Sequence, residues 1–171
     1  MRDFSNYYKA LKYAFINYGD LKRKSSAIPY IIHPIRMTSI LRAAGFTEFE
    51  DKDIMIAALF HDLLEDTDTS IKEIASKFGN KVASIVKELT IPEGSNKNEW
   101  LKSFNKMSKE AKIIKIVDRI DNLMNMNKDY WSIEKQKSYA EQGKLILEKC
   151  GKSHSELAHI LKNAIEKILN D

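Results

Sequence analysis

The chain has 171 residues, the size of one domain, and this length leaves no room for a two-domain enzyme. Six glycines and three prolines are few for this length, which favours helix over strand and argues against disorder. The net charge of +4 permits an anionic ligand, but the chain lacks the basic blocks typical of a nucleic-acid-binding arm.

The first half of the sequence predicts helices separated by short polar segments, and no strand-like alternation persists. Apolar residues recur at helical spacing over 4–18. Residues 20–27 are polar and predict a loop. A second helix is predicted over 34–45, because proline is well tolerated in the first turn. A third helix is predicted to begin after Asp51 and to continue to Leu64.

The second half continues the helical pattern. A capping-box spacing at Ser70 predicts a short helix that ends near residue 79. Apolar residues over 82–89 predict the next helix, and 91–96 is the clearest loop. A long helix follows, with an apolar stripe over 113–124. Together these elements predict an all-α bundle of about eight to nine helices.

Ser132 and Ser153 are predicted to cap the last two helices. No linker composition interrupts the chain, so we expect residues 1–171 to form a single domain. The single cysteine, Cys150, excludes a disulfide framework and has no candidate base nearby in sequence. The apolar runs are too short to span a bilayer and the N-terminus does not resemble a signal peptide, so we expect a cytoplasmic protein.

The segment over 57–66 combines an apolar run with four polar or ionisable residues. On one continuous helix, His61 and Glu65 would lie one turn apart, as would Asp62 and Asp66. Three buried carboxylates would repel one another, and a divalent cation would compensate their charge. This conflict between pattern and polarity is the main functional signal in the sequence.

The same conflict recurs in the long helix predicted around residue 118. Asp118 and Asn122 lie one turn apart beside apolar positions, and His33 interrupts another apolar stretch. Each residue also has an ordinary interpretation. His33 could be a hydrogen-bonded core histidine, and Asp118 could pair with Lys115 or Arg119 as a surface charge. The order of His33, the His61–Asp62 doublet and Asp118 favours a shared site.

That order resembles the HD-domain metal-dependent phosphohydrolases. Three segments, 29–35 (PYIIHPI), 57–69 (AALFHDLLEDTDT) and 115–123 (KIVDRIDNL), are similar to the hydrolase domain of the RelA/SpoT alarmone enzymes. Residues near Tyr130 and Tyr139 resemble the last part of the stand-alone small alarmone hydrolases. The resemblance therefore covers nearly the whole chain and implies an all-helical HD fold.

The resemblance implies a metal centre with four ligands, which are His33, His61, Asp62 and Asp118. The usual ion of the family is manganese, and two imidazoles with two carboxylates suit such a borderline-to-hard divalent cation. Glu65 and Asp66 would orient the attacking water and accept its proton. Asn122 would hydrogen-bond the ribose or a phosphate of the substrate.

The resemblance also implies residues that bind the substrate away from the metal. Arg23 and Lys24 would frame the guanine base or contact phosphate, and Lys135 and Tyr139 would line the far side of the pocket. From the residues alone, the basic run Lys22–Arg23–Lys24 could equally be a solvated loop.

The resemblance implies hydrolysis of the 3′-pyrophosphate of ppGpp or pppGpp, which yields GDP or GTP and clears a stringent-response signal made elsewhere. Three alternatives remain open: an NADPH phosphatase, another HD-type nucleotide phosphohydrolase, and an HD module that binds a nucleotide without turning it over. We expect a small-molecule nucleotide as the partner, with neither nucleic acid nor membrane involved. The sequence does not identify an oligomeric state.

Overall fold

A computed structural model describes residues 4–23, 27–92, 94, 101 and 103–170, and within these residues the fold is all-α. None of the helices described has the length and apolarity needed to cross a bilayer. The helices whose bounds the structure describes are α1 (Ser5–Tyr18), α2 (Ile32–Ala43), α3 (Lys52–Phe60), α4 (Leu63–Asp66), α5 (Ile71–Phe78), α6 (Asn80–Leu89), α7 (Lys109–Met124), α8 (Ile133–Cys150) and α9 (Ser155–Asn170).

Helix α7 is the central element of the bundle. It packs against α2, α3, α6, α8 and α9. Most of its apolar stripe is buried as predicted, with Ile114, Val117 and Ile120 fully inaccessible, whereas Met124 at the end of the stripe is 63% exposed. The same helix also buries four charged residues, which are Lys115, Asp118, Arg119 and Asp121. Burial of a charged group costs free energy unless the group is paired. Each of these four side chains therefore needs a partner of opposite charge or a hydrogen-bond partner inside the bundle.

The predicted continuous helix from residue 52 to 64 is wrong, because the helix breaks at His61 and Asp62. Helix α3 ends at Phe60, and the four-residue α4 starts again at Leu63. The His61 Nδ1 lies 3.1 Å from the Ala58 carbonyl oxygen and donates to it. A side chain thus bonds a carbonyl at the end of α3. His61 and Glu65 therefore do not share one helix face.

Within the described residues, serine side chains cap three helices. The side chains of Ser70 and Ser132 accept hydrogen bonds from the backbone N–H groups of Glu73 and Lys135, which confirms both predicted caps. Ser108 caps α7 in the same way. These bonds satisfy backbone donors that the first turn of a helix leaves free.

The predicted cap at Ser153 is wrong. Residues Gly151–Ser153 form a 3₁₀ turn, and the Ser153 hydroxyl donates instead to the Cys150 carbonyl at 2.6 Å. The Nδ1 of His154 lies 3.3 Å from the Leu157 amide and takes the capping position. The inserted turn moves the helix start beyond Ser153, which the serine-to-glutamate spacing did not reveal.

The segment between α1 and α2 is held by two antiparallel backbone hydrogen bonds. The Tyr30 amide donates to the Leu21 carbonyl at 2.7 Å, and the Arg23 amide donates to the Ile28 carbonyl at 3.1 Å. These bonds bring Arg23 close to the start of α2, which begins at Ile32, two residues before Pro34. The predicted loop is therefore locally ordered on either side of residues 24–26.

Replacement of Phe60 with Ala tests the core that supports the site. Phe60 is fully buried at the end of α3 and packs edge-on against Tyr13 and Phe78. We expect F60A to lower the free energy of unfolding by about 3–5 kcal/mol, measured by guanidinium denaturation. Phe15 is 64% exposed, so F15A is the matched control. Similar losses in both variants would contradict this packing.

Candidate metal centre and adjoining cavity

Three buried side chains from three helices meet in one place. His33 lies on α2, His61 directly follows α3, and Asp118 lies on α7. Each offers one ligand atom, and these atoms lie within 4.8 Å of one another. Atoms that bind one metal ion at about 2 Å lie at most about 4 Å apart, so small side-chain movements would bring these three onto one ion. The three residues, which are distant in sequence, can therefore hold one divalent cation.

The two imidazoles have the same tautomer, set by their Nδ1 partners. His33 Nδ1 lies 2.6 Å from Asp121 Oδ2, and His61 Nδ1 contacts the Ala58 carbonyl. Both partners are acceptors, so each Nδ1 donates its hydrogen and each Nε2 presents a lone pair. Within the described residues, both buried Nε2 atoms have no hydrogen-bond partner. A metal cation needs nitrogen or oxygen atoms that can give it a lone pair. These two Nε2 atoms lie close together and have such lone pairs available.

Carboxylate oxygens face these lone pairs. Asp118 Oδ1 lies 3.3 Å from His33 Nε2, and Asp62 Oδ2 lies 3.0 Å from His61 Nε2. Burial alone would lower the pKa of His61, but the Asp62 carboxylate outweighs burial and raises it. Burial would raise the pKa of Asp62, yet His61 holds it below its ordinary value. A positive charge between the imidazole and the carboxylate is thus favoured, as a proton or as a metal ion.

Asp62 lies at the edge of the cluster and is engaged elsewhere. Its Oδ2 accepts a short hydrogen bond from the Tyr30 hydroxyl. Burial, followed by the charge of Asp62, raises the pKa of Tyr30 above its ordinary value, so this phenol stays a donor. The three-residue group of converging donors does not include Asp62, although its carboxylate adjoins the group.

Asp118 is fixed from two sides. Lys115 Nζ lies 3.3 Å from Oδ2, and the Asn122 amide donates to Oδ1 at 2.5 Å. Burial opposes ionisation, but Lys115 and then His33 hold the pKa of Asp118 well below its ordinary value. The Asn122 oxygen in turn accepts from the Arg23 guanidinium. Asn122 therefore joins a candidate ligand to a cation at the cavity wall.

A cavity of about 540 Å³ opens beside the converging donors. Its wall combines predicted site residues with residues that the sequence did not indicate. The lining residues are Leu21, Lys22, Arg23, Tyr30, Asp62, Glu65, Asp66, Asn122, Asn125, Met126, Asn127, Trp131, Lys135 and Tyr139. Carboxylates occupy one side, and cations, amides and aromatic rings occupy the rest, which suits a phosphorylated ligand with a flat group.

Glu65 and Asp66 line the cavity from α4. Glu65 Oε1 accepts a hydrogen bond from the Ile91 amide at 2.8 Å, which ties the carboxylate to the chain after α6. Both side chains are exposed, so the expectation that this segment buries three carboxylates is wrong. Partial desolvation at the cavity wall nevertheless raises the pKa of Glu65 above its ordinary value, and Asp62 and Asp66 add to the effect. A raised pKa makes a carboxylate a better proton acceptor.

Aromatic and basic residues form the far wall. Lys135 Nζ lies 4.3 Å from the centre of the Trp131 ring, and Trp131 packs edge-on against Tyr139. Burial raises the pKa of Tyr139 to about 12, so its phenol is neutral. Arg119 supports this wall, since its guanidinium lies 3.8 Å from the Tyr139 ring centre and donates to the Tyr139 carbonyl.

All but one of the predicted site residues lie at the donor cluster or the cavity. The exception is Lys24, which lies outside the described residues. Sequence reasoning missed Asp121 and Arg36 behind His33, and Tyr30 beside Asp62. Asp121 interrupts the apolar face of α7 as Asp118 does, so the same signal could have identified it.

Cys150 is fully buried at the end of α8. Burial raises the pKa of its thiol to about 11, so the reactive thiolate is a minor form at pH 8, about one part in a thousand. We expect iodoacetamide to label the native protein far more slowly than the guanidinium-unfolded protein, with the native rate rising as pH approaches 11. Equal rates at pH 8 would show that the thiol is accessible.

A model of the HD-domain family matches residues 10–149. The chain is 36% identical over 120 residues to the MESH1 guanosine-3′,5′-bis(diphosphate) 3′-pyrophosphohydrolase of Danio rerio, covering 66% of each protein. It is 34% identical to a guanosine-3′,5′-bis(diphosphate) 3′-pyrophosphohydrolase of Aquifex aeolicus, covering 92% of this chain but only 22% of that longer protein.

Among solved structures, a metazoan SpoT ortholog described as hydrolysing ppGpp superposes with a TM-score of 0.86 at 28% identity. The match covers 98% of this chain and 97% of that chain. The all-α HD fold expected from the sequence is therefore confirmed.

Proposed function

This chain belongs to the HD-domain family, and from that premise we propose that it hydrolyses the 3′-pyrophosphate of ppGpp or pppGpp. The products would be GDP or GTP and pyrophosphate. One observation carries the proposal: two buried imidazole lone pairs face carboxylates beside a cavity whose wall also holds Glu65 and Asp66. The relatives named as ppGpp hydrolases support this choice of substrate.

His33, His61, Asp62 and Asp118 would hold the metal ion, for which we propose Mn²⁺. The first, second and fourth already converge, whereas Asp62 would exchange its bond to Tyr30 for the ion. Nitrogen and carboxylate donors without thiolate suit this class of cation. A divalent ion held there would supply Lewis acidity at a phosphoryl oxygen and acidify water.

Glu65 and Asp66 would orient the attacking water and take its proton. The Ile91 amide fixes Glu65 Oε1, and the second oxygen of that carboxylate can then receive the proton. Proton transfer to a positioned side chain contributes about 10²–10⁴ to the rate of such reactions.

The rest of the substrate would occupy the far wall of the cavity. Arg23 and Lys24 would contact phosphate or the base, and Asn122 would bond the ribose or a phosphate. Lys135 and Tyr139 would enclose the far end, where Trp131 also offers an aromatic face. Arg23 is suited to this role because its bond to Asn122 already holds it at the cavity.

We propose that residues 1–171 form one domain, since a single hydrophobic cluster links Tyr7 in α1 to Ile168 in α9. We assign its activity to the cytoplasm, where a lone reduced thiol is usual. The protein would there remove a stringent-response nucleotide made by another enzyme.

The test is product analysis by anion-exchange chromatography. Purified protein is incubated with Mn²⁺ and, in separate reactions, with ppGpp, NADPH and a mixture of nucleoside monophosphates, each with a chelated control. We expect GDP and pyrophosphate from ppGpp, both lost on chelation. NADH and phosphate from NADPH alone would transfer the function to an NADPH phosphatase. No turnover by folded, metal-loaded protein would indicate a nucleotide-binding module.

A further inference from the structure

The Asp121 carboxylate lies directly behind His33, on the side away from the donor cluster. It is 1% exposed and accepts hydrogen bonds from three side chains. His33 Nδ1 lies 2.6 Å from Oδ2, and Asn125 Nδ2 lies 3.0 Å from Oδ1. Arg36 spans both oxygens, with Nε at 2.7 Å from Oδ1 and Nη2 at 2.9 Å from Oδ2. The geometry leaves the carboxylate little freedom to turn.

The two histidines of the cluster therefore differ in what holds them. His61 donates to a neutral backbone carbonyl at 3.1 Å, whereas His33 donates to a carboxylate at 2.6 Å. Hydrogen bonds to ionised acceptors are shorter and about twice as strong as neutral ones. A carboxylate partner also fixes the ring orientation and increases the electron density at the opposite nitrogen. We therefore expect the His33 ring to be held more rigidly than the His61 ring, and its Nε2 to be the stronger metal ligand.

We propose that Asp121, held by Arg36, is a positioning residue that fixes the tautomer of His33 and strengthens His33 Nε2 as a metal ligand. The inference rests on the metal site of the proposed function but does not depend on which substrate is cleaved. Asp121 does not itself line the cavity, and among the three converging side chains it bonds His33. It also holds Asn125, which lines the cavity, so its effect on the metal site is measured as Mn²⁺ affinity rather than as turnover.

Arg36 has a distinct part in this arrangement. An unpaired carboxylate is costly to bury and would otherwise draw a proton to itself. The bidentate guanidinium keeps Asp121 ionised and aligned, so the carboxylate accepts the His33 hydrogen without needing one of its own. Because Arg36 is 29% exposed at its side chain, it can be replaced with less disturbance of the core than Asp121.

The experiment measures Mn²⁺ affinity by isothermal titration calorimetry in D121N and R36Q. We expect D121N to weaken Mn²⁺ binding by about 10–100-fold, and R36Q to weaken it by a smaller factor. The matched control is R42Q, which removes another arginine–carboxylate pair, with Glu48, from the same helix. R42Q should bind Mn²⁺ like the unaltered protein. Should D121N fail to fold, R36Q decides the question.

A second readout reports the tautomer directly. Long-range ¹H–¹⁵N spectra of metal-free protein at pH 8 should place the His33 hydrogen on Nδ1, with a strongly deshielded proton that moves upfield in D121N. A merely structural role for Asp121 would leave that signal unchanged in folded variants. Unaltered Mn²⁺ affinity in D121N, or an unaltered His33 signal, would overturn the proposal.

The outcome separates this inference from the proposed function. If the unaltered protein binds Mn²⁺ but does not cleave ppGpp, and D121N still weakens Mn²⁺ binding, the positioning role stands and the substrate assignment fails. If ppGpp is cleaved and D121N retains full Mn²⁺ affinity, the activity stands and the positioning role fails.

Discussion

Replacement of Asp118 with Asn is expected to abolish Mn²⁺ binding in the micromolar range and to reduce ppGpp hydrolysis by at least about 10³-fold. Asn preserves the shape of the side chain but removes the negative charge that pairs with Lys115 and lies 3.3 Å from His33 Nε2. The new amide would lie beside Lys115 and the amide of Asn122 in a buried site. A Mn²⁺ ion there would be repelled by the Lys115 ammonium, which the Asp118 carboxylate would no longer neutralise. A metal ion contributes several kcal/mol of transition-state stabilisation, which corresponds to this loss in rate.

Calorimetric Mn²⁺ titration and release of pyrophosphate measure the two effects separately. Glu110 is the matched control, because it lies on the same helix and pairs with Lys81 at 2.8 Å, far from the cluster. E110Q should retain both properties. If D118N bound Mn²⁺ as tightly as E110Q, Asp118 would not be a ligand, and the ion would have to be held without α7.

Replacement of Glu65 with Gln, or of Asp66 with Asn, should lower kcat by about 10²–10⁴-fold while Mn²⁺ affinity stays near that of the unaltered protein. Gln can still accept the hydrogen bond from the Ile91 amide, so E65Q removes the basic group and keeps the tie to the neighbouring chain. The result is read from kcat in pyrophosphate-release assays at saturating Mn²⁺ and substrate.

Asp68 provides the control for this pair. It lies two residues beyond Asp66 but does not line the cavity beside the cluster, so D68N should retain full kcat. If E65Q and D66N hydrolysed ppGpp at the normal rate while H61A did not, the water-activating role would belong to other residues.

The helical class and the strongest helices could be predicted because their signals are local. The apolar spacing from Phe4 to Tyr18 and the caps at Ser70 and Ser132 depend on residues within a few positions of one another. The break after Phe60 could not be predicted in this way. The break involves a hydrogen bond from the His61 side chain to the Ala58 carbonyl. A histidine at this position fits the helical apolar pattern equally well whether the helix continues through it or ends there.

The site divides along the same line. The positions of His33, His61 and Asp118 were indicated by charge within apolar segments and by the family resemblance, and the structure brings their ligand atoms together. The role of Asp121 could not be predicted, because a buried carboxylate gives the same sequence pattern whether it binds a metal ion or orients the side chain of a metal ligand. Only the direction of the His33 ring distinguishes the two roles.

The candidate metal centre and the adjoining cavity rest on elements of unequal local stability. Asp118 belongs to the central α7, which packs against five other described helices. We expect the backbone amide hydrogens of α7 to exchange with solvent only on global unfolding. Glu65 and Asp66 belong to the four-residue α4, and Arg23 to a short bridged segment. We therefore expect small, low-energy openings on the cavity side, where Glu65, Asp66 and Arg23 are proposed to act on water and substrate. On the proposed function, products would leave through such openings while the core keeps the candidate ligands in place.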